Sequence, residues 1–151
     1  MRQLGQAGIA LIQRWEALRL TGYIPLPGDR PTAGWGHTGP DVQVGTTYPL
    51  TKAQEWFQQD TGWACSTVEN SVLHLPFGQN QFDACVSLVY NIGTPNWLHS
   101  TVLREINFGD LAGAADAFLL WDKEHGSVLQ GLLNRREEER QLFLTPDDGA
   151  E

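Results

Sequence analysis

Glu16, Asp29, Thr32 and His37 fall within one stretch, "WEALRLTGYIPLPGDRPTAGWGHTG", spanning residues 15–39. Packing asks only for an apolar face from such a segment. It does not ask for two acids and a hydroxyl gathered around a Pro/Gly-rich turn. Hydrolysis of a glycosidic bond does: one carboxylic acid protonates the leaving oxygen, and a second group positions water or stabilises the oxocarbenium-like transition state. Glu16, at the end of a helix-like segment and near Trp15, Tyr23 and Trp35, is a candidate for the acid, because aromatic walls desolvate a carboxyl and keep it protonated. Asp29 is the candidate second carboxylate, and Thr32 a candidate to hold water beside it. The alternative for Asp29 is the usual work of Asp in a "PGD" turn, bonding its own backbone.

These residues need elements to place them. Leu4, Ile9, Leu11, Ile12, Trp15 and Leu18 predict an amphipathic helix over residues 3–19, and the Gly/Pro-rich segment 21–39 predicts a small antiparallel hairpin turning at "PLPGDRP". A hairpin that small must pack on helices. Thr51, followed by Gln54, predicts an N-cap and a long helix through Asp60, Cys65 and Val72. A break at Pro76 and Gly78 precedes a central, buried helix carrying Phe82, Cys85, Val86 and Val89. Ser100 or Thr101 is expected to cap "VLREIN". "GDLAGAADAFLLWDKEH" predicts a helix with Leu111, Ala115, Phe118 and Leu119 inward. In the last helix, after Gly131, Leu132, Leu133, Leu142 and Phe143 form the apolar side, with Arg and Glu facing solvent. The tail 145–151 is acidic and expected to fray. The expectation is a single, mostly helical α+β domain with an N-terminal lobe over about 1–75 and a C-terminal helical lobe over about 76–144.

Composition narrows the function. A chain of 151 residues can bury about 70% of its unfolded surface. A net charge of −8 argues against nonspecific attraction to nucleic acid or anionic lipid, so a polymer must be gripped by shape and hydrogen bonds. No apolar run is long enough to span a bilayer or form a signal-peptide core. The scattered histidines and the pair Cys65 and Cys85 match no metal or redox spacing, so neither metal nor cofactor is expected. Buried free thiols are the expectation for the cysteines, with a disulfide as the alternative if their helices pack.

The stretch that opens this account resembles the signature of phage-type lysozymes, the endolysin muramidases, in which a Glu is followed by a hairpin bearing an Asp or Cys and a Thr, then Gly-aromatic-Gly-His. The likeness continues through "QNQFDACVSLVYNIG", "STVLREINFGDLAGAADAFLLWDK" and "GLLNRREEERQLFL", covering nearly the whole chain in the family's order. It implies a lysozyme-like fold and cleavage of the β-1,4 bond between N-acetylmuramic acid and N-acetylglucosamine in peptidoglycan. Glu16 matches the family's catalytic acid and Thr32 its Thr. Pro25 stands where the family carries its Asp, and the Glu-to-Thr spacing is one residue longer, so Asp29 is read as supplying the carboxylate from the far side of an enlarged turn.

By the same resemblance, Asn91 matches a cleft-lining amide that would bind a sugar N-acetyl group or a peptide stem, its alternative being a helix C-terminal cap. Arg135 matches an Arg that reaches back to orient the catalytic Glu, its alternative being a surface ion pair. His37 is read as structural, paired with a carboxylate. From residue type alone the tryptophans are mostly core, the safer reading for any single one, with Trp35 and Trp97 also candidate cleft walls on which a pyranose could stack. The resemblance further implies a monomer that accumulates in the bacterial cytoplasm, without a signal peptide, and reaches the wall through a lesion made by a separate holin-like protein. A glycan-binding module that has lost the middle acid is the competing reading; a helical interaction domain has no use for the hairpin.

Overall fold

The computed structural model describes residues 2–73, 77–124 and 126–147; Pro76 and the last four residues lie outside it. The first helix, α1 (Gln6–Glu16), is shorter at both ends than its apolar periodicity suggests. Its N-terminus begins at Gly5 because a residue far along the chain caps it: Asp83 Oδ1 accepts the Gly5 amide at 3.0 Å and Oδ2 the Gly8 amide at 3.2 Å. Gly8 allows this approach, since a Cβ there would sit 2.8 Å from Asp83 Cβ. Burial pushes the Asp83 carboxyl up, against the bonds it accepts from Gly5, Gln79 and Gly8.

After α1 come β1 (Arg19–Tyr23), β2 (Thr32–Gly34) and β3 (His37–Thr38), an antiparallel sheet of order β1-β2-β3 rather than a lone hairpin. Tyr23 pairs with Thr32 and Ala33 with His37. Bridges Thr21–Thr47 and Gly22–Val44 tie the following loop to β1. The sheet packs on α2 (Leu50–Ser71) through a small cluster of Ala33, Val42, Trp56 and Tyr48. Here His37 stacks on Trp56 with ring centres 4.6 Å apart. The N-cap of α2 is Pro49, not Thr51; proline's fixed φ suits the position before the first turn, and Thr51 lies inside the helix.

The main core surrounds α3 (Gln79–Ile92), in which Phe82 through Val89 are buried without a break. Such all-round burial marks a central helix. Helices α4 (Thr94–Leu98), α5 (Thr101–Phe108) and α6 (Leu111–Ala117) follow. Ser100 caps α5 through the Leu103 amide at 3.1 Å, and Gly109 ends it in the left-handed region. Ala115 and Phe118 turn inward as expected, whereas Leu111 is exposed. The helix stops at Ala117, passes through a 3-10 turn and gives way to a hairpin, β4 (Lys123–Glu124) and β5 (Ser127–Val128), that sequence periodicity does not reveal. Trp97 belongs to this core and not to a cleft wall; it is fully buried and its indole donates to Ser71 Oγ at 2.8 Å.

The last helix, α7 (Gln130–Leu144), carries the largest departure from expectation. Arg135, Arg136 and Glu139 are buried rather than solvated. Glu139 accepts from Ser87 Oγ at 2.6 Å and from Arg136 Nη2 at 3.0 Å; Arg136 Nε approaches Glu139 Oε1 to 2.7 Å as an ion pair rather than an aligned hydrogen bond. Burial lowers the Arg136 pKa, and the adjoining Glu139 charge opposes that. The start of the tail is pinned instead of frayed: Asp147 accepts the Gln79 and Asn80 amides at 2.9 and 2.8 Å, occupying the positive end of α3.

Cys65 and Cys85 are both buried and free, with no disulfide between them. Burial pushes the Cys65 thiol up from 9.0 to about 11 and raises Cys85 as well. The folded chain therefore holds the Cys65 proton more tightly than the unfolded chain. Its contribution to stability is intact below about pH 9 and is lost as the pH rises through about 11. Urea titrations at pH 7 and pH 10.5 are expected to show a loss on the order of 2 kcal/mol from such a thiol. The alkaline loss should be smaller in Cys65→Ala. Arg136→Met, which removes the closest cation from Glu139 and leaves it only Arg135 at 3.4 Å and the Ser87 hydroxyl, should cost about 3 kcal/mol in the same assay at neutral pH.

Candidate active site

The carboxyl of Glu16 lies where α1 ends. Arg135, from the far end of the chain, donates through Nη1 to Glu16 Oε1 at 2.7 Å, with side-chain exposures of 5% for Arg135 and 18% for Glu16. Arg135 is itself held from behind, by Glu139 Oε2 at 3.4 Å and the Ser87 carbonyl at 3.4 Å. Ser87 and Glu139 are thus part of the support for Glu16, as is Arg136, which braces Glu139. A hint of them was present in the i, i+3 and i, i+4 spacing of Arg and Glu in "RREEER"; only the fold shows that this face turns inward.

The other oxygen of Glu16 lies against Gly36. A Cβ at Gly36 would collide with Glu16 Oε2, and the glycine has φ +77°. A side chain at position 36 would therefore be strained and would push the Glu16 carboxyl from its place. A guanidinium on one oxygen and a bare backbone on the other leave Glu16 a narrow choice of orientation. Leaving the helix next to Glu16 is strained: Ala17 has φ 54° and ψ 136°, the one non-glycine residue at positive φ among those described. Strain of this kind costs on the order of 1–3 kcal/mol and collects at functional sites.

Asp29 sits in the turn leading to β2. Its Oδ2 accepts the Leu26 amide at 3.1 Å and its own amide donates to the Leu26 carbonyl at 2.9 Å. No hydrogen bond joins it to Glu16 among the described residues. Thr32 opens β2, is buried, and donates to the Arg30 carbonyl at 2.9 Å. Its hydroxyl lone pairs can still accept. Asn91, exposed near the end of α3, accepts from Arg136 Nη1 at 3.0 Å; the cap of that helix is Gly93. Arg136 therefore connects Asn91 with the buried support of Arg135.

Trp35 is half-buried, with its ring edge-on to Phe57 at 5.4 Å. It lines a cavity of about 500 Å³ with Phe57, Leu4, Ile9, Gln13 and Gln58, a lining that does not include Glu16. His37 lies between two carboxylates, Nδ1 at 2.7 Å from Asp60 and Nε2 at 3.1 Å from Asp41, and Trp56 Nε1 also donates to Asp41 at 2.8 Å. Burial raises Asp60. It opposes ionisation of Asp41 too, but there the bonds from His37 and Trp56 prevail and the pKa falls. No group of His, Cys, Asp and Glu suited to a metal ion occurs among the described residues.

The strain after Glu16 can be tested without touching the carboxyl. Ala17→Gly is expected to raise stability by about 1–2 kcal/mol in urea denaturation, the relieved strain exceeding glycine's extra unfolded-state entropy.

Residues 13–139 match the phage lysozyme family. The chain is 41% identical over 149 residues to the endolysin of Salmonella phage P22, covering 96% of this chain and all of that one. It is 40% identical over 143 residues to the endolysin of Bacillus phage B103, covering 94% of this chain but only 54% of that longer protein. Among solved structures, the muramidase domain of SpmX from Asticaccaulis excentricus superposes with a TM-score of 0.87 at 37% identity, covering 97% of this chain and all of that one. No helix of the described residues is long and apolar enough to cross a membrane. With Glu16 at a helix end, an arginine on its carboxylate and a Thr-bearing sheet beside it, the chain belongs to the phage lysozyme family, glycoside hydrolases that cut the β-1,4 bond between N-acetylmuramic acid and N-acetylglucosamine in peptidoglycan.

Proposed function

We propose that Glu16 is the general acid of this muramidase, with Asp29 as the second carboxylate and Thr32 holding the water or the developing positive charge. The observation that carries the reading is the Arg135–Glu16 pair at 2.7 Å, which fixes a carboxyl over the sheet from a residue 119 positions away. The two carboxyls of a glycosidase stand at least about 5 Å apart, so direct contact between Asp29 and Glu16 is not what the chemistry asks for. The Leu26 amide on Asp29 Oδ2 fixes the orientation of that carboxylate in the turn.

The same bond favours a second reading, in which Asp29 only shapes the turn and the chain is a catalytically weak glycan binder. Asn91, tethered by Arg136, and Trp35, on its Phe57 shelf, are the proposed contacts to the sugar. Cytoplasmic accumulation and passage to the wall through a lesion made by another protein follow the likeness to endolysins, and the net charge of −8 makes shape and hydrogen bonding the means of grip.

Muropeptide release from purified peptidoglycan, followed by mass spectrometry, tests these roles. Wild type should yield products with muramic acid at the reducing end. Glu16→Gln is expected to lower the rate by about 100-fold or more, as loss of a general acid does, and Asp29→Asn to lower it markedly with folding unchanged. Full activity in Asp29→Asn would assign Asp29 to the turn, and no release by the wild type would favour the glycan-binding reading.

A further inference from the structure

Tyr90 lies on α3, outside the residues assigned above, yet its hydroxyl makes a short bond into the catalytic sheet: Oη donates to the Trp35 carbonyl at 2.5 Å. The Trp35 carbonyl and the Gly36 amide are two ends of one planar peptide unit. Fixing that carbonyl fixes the plane leading into the Gly36 Cα, the atom against which Glu16 Oε2 lies. The Tyr90 ring is itself set, tilted on Phe57 at 6.0 Å, and Phe57 also carries the Trp35 ring. One aromatic shelf on α2 therefore supports both donor and acceptor of this bond. Burial, followed by the negative charges of Asp60 and Glu16, keeps the Tyr90 hydroxyl protonated and hence a donor.

We propose that Tyr90 is a positioning residue for the glycosidase reaction, its hydroxyl latching the Trp35–Gly36 turn to α3 so that the turn confines the Glu16 carboxyl opposite Arg135. The inference rests on Glu16 as the acid. Glu16 is then held between two elements brought from different parts of the chain, α7 through Arg135 and α3 through Tyr90. Removing the hydroxyl leaves the ring packing intact and frees the peptide plane, so the effect should appear in turnover and not in glycan binding.

The test is Tyr90→Phe, assayed on soluble, uncrosslinked peptidoglycan strands beside wild type and Glu16→Gln, with amide hydrogen exchange of Gly36 and His37 measured in parallel. The expected result is a kcat about tenfold below wild type with KM unchanged, together with exchange at Gly36 and His37 at least tenfold faster while the α3 core amides keep their protection. Val102→Ala, a buried core change on α5 rather than on α3, should lower stability while leaving kcat unchanged at a temperature where it is folded. Wild-type kcat in folded Tyr90→Phe, or a lowered kcat with unchanged exchange at the turn, would overturn the latch. Inactive wild type, or active Glu16→Gln, would instead remove the reading of Glu16 on which it rests.

Discussion

A buried guanidinium holds this molecule's chemistry in place. Arg135 donates to Glu16 and rests on Glu139 and the Ser87 carbonyl, so its charge is never without a partner. Lone buried charge is prohibitively costly, and a partly satisfied network is worse than an apolar core. The cluster Ser87–Glu139–Arg135–Arg136 gives every charge an opposite charge beside it, although Arg136 Nε and Glu139 Oε1 meet as an ion pair without an aligned hydrogen bond. It lies between α3 and α7, against the largest core. In this account its value lies in specificity of position as much as in stability, since an ion pair of this kind gives up most of its Coulombic gain to desolvation.

The rest of the catalytic end is built around the carboxyl so held. α1 must stop directly after Glu16, and it does so through Ala17 in a conformation that L-residues rarely adopt. The β2–β3 turn must come close enough to touch Glu16, which only glycine at position 36 permits. The sheet bearing that turn is too small to stand alone and is fastened to α2 by Trp56, on which His37 stacks while Asp41 and Asp60 face its ring nitrogens. The charges on the two sides differ in kind. Around His37 they secure the sheet, and around Arg135 they aim the acid.

Much of this was legible in the residues themselves. Continuous apolarity predicts α3 as the central helix, the Gly/Pro-rich segment predicts strands and turn, the signature from Trp15 to Gly39 names Glu16 and Thr32, and the resemblance over the last helix names Arg135. What escaped has a common physical origin: contacts made across long stretches of chain. Asp83 capping α1 and Asp147 capping α3 are supplied by residues 78 and 68 positions away, and local patterns cannot show them. Arg136 and Glu139 have the spacing of a solvated face of α7, because burial of charge is legible only once Ser87 and Arg135 are seen opposite. Thr51 has the side chain of a cap, but Pro49, two residues earlier, takes the position with its fixed φ. Trp97 joins the core, the safer of its two readings, since an aromatic's type alone does not reveal which face it joins.

The central claim is that Arg135 acts through Glu16 and has no separate part in the chemistry. A kinetic double-mutant cycle tests it most directly, with kcat/KM on soluble peptidoglycan strands measured for wild type, Arg135→Ala, Glu16→Gln and the double variant, each confirmed folded. The account predicts that Arg135→Ala sharply lowers activity when Glu16 is present and adds nothing to the loss once Glu16 is Gln. Losses that simply multiply in the double variant, or wild-type activity in Arg135→Ala, would contradict it.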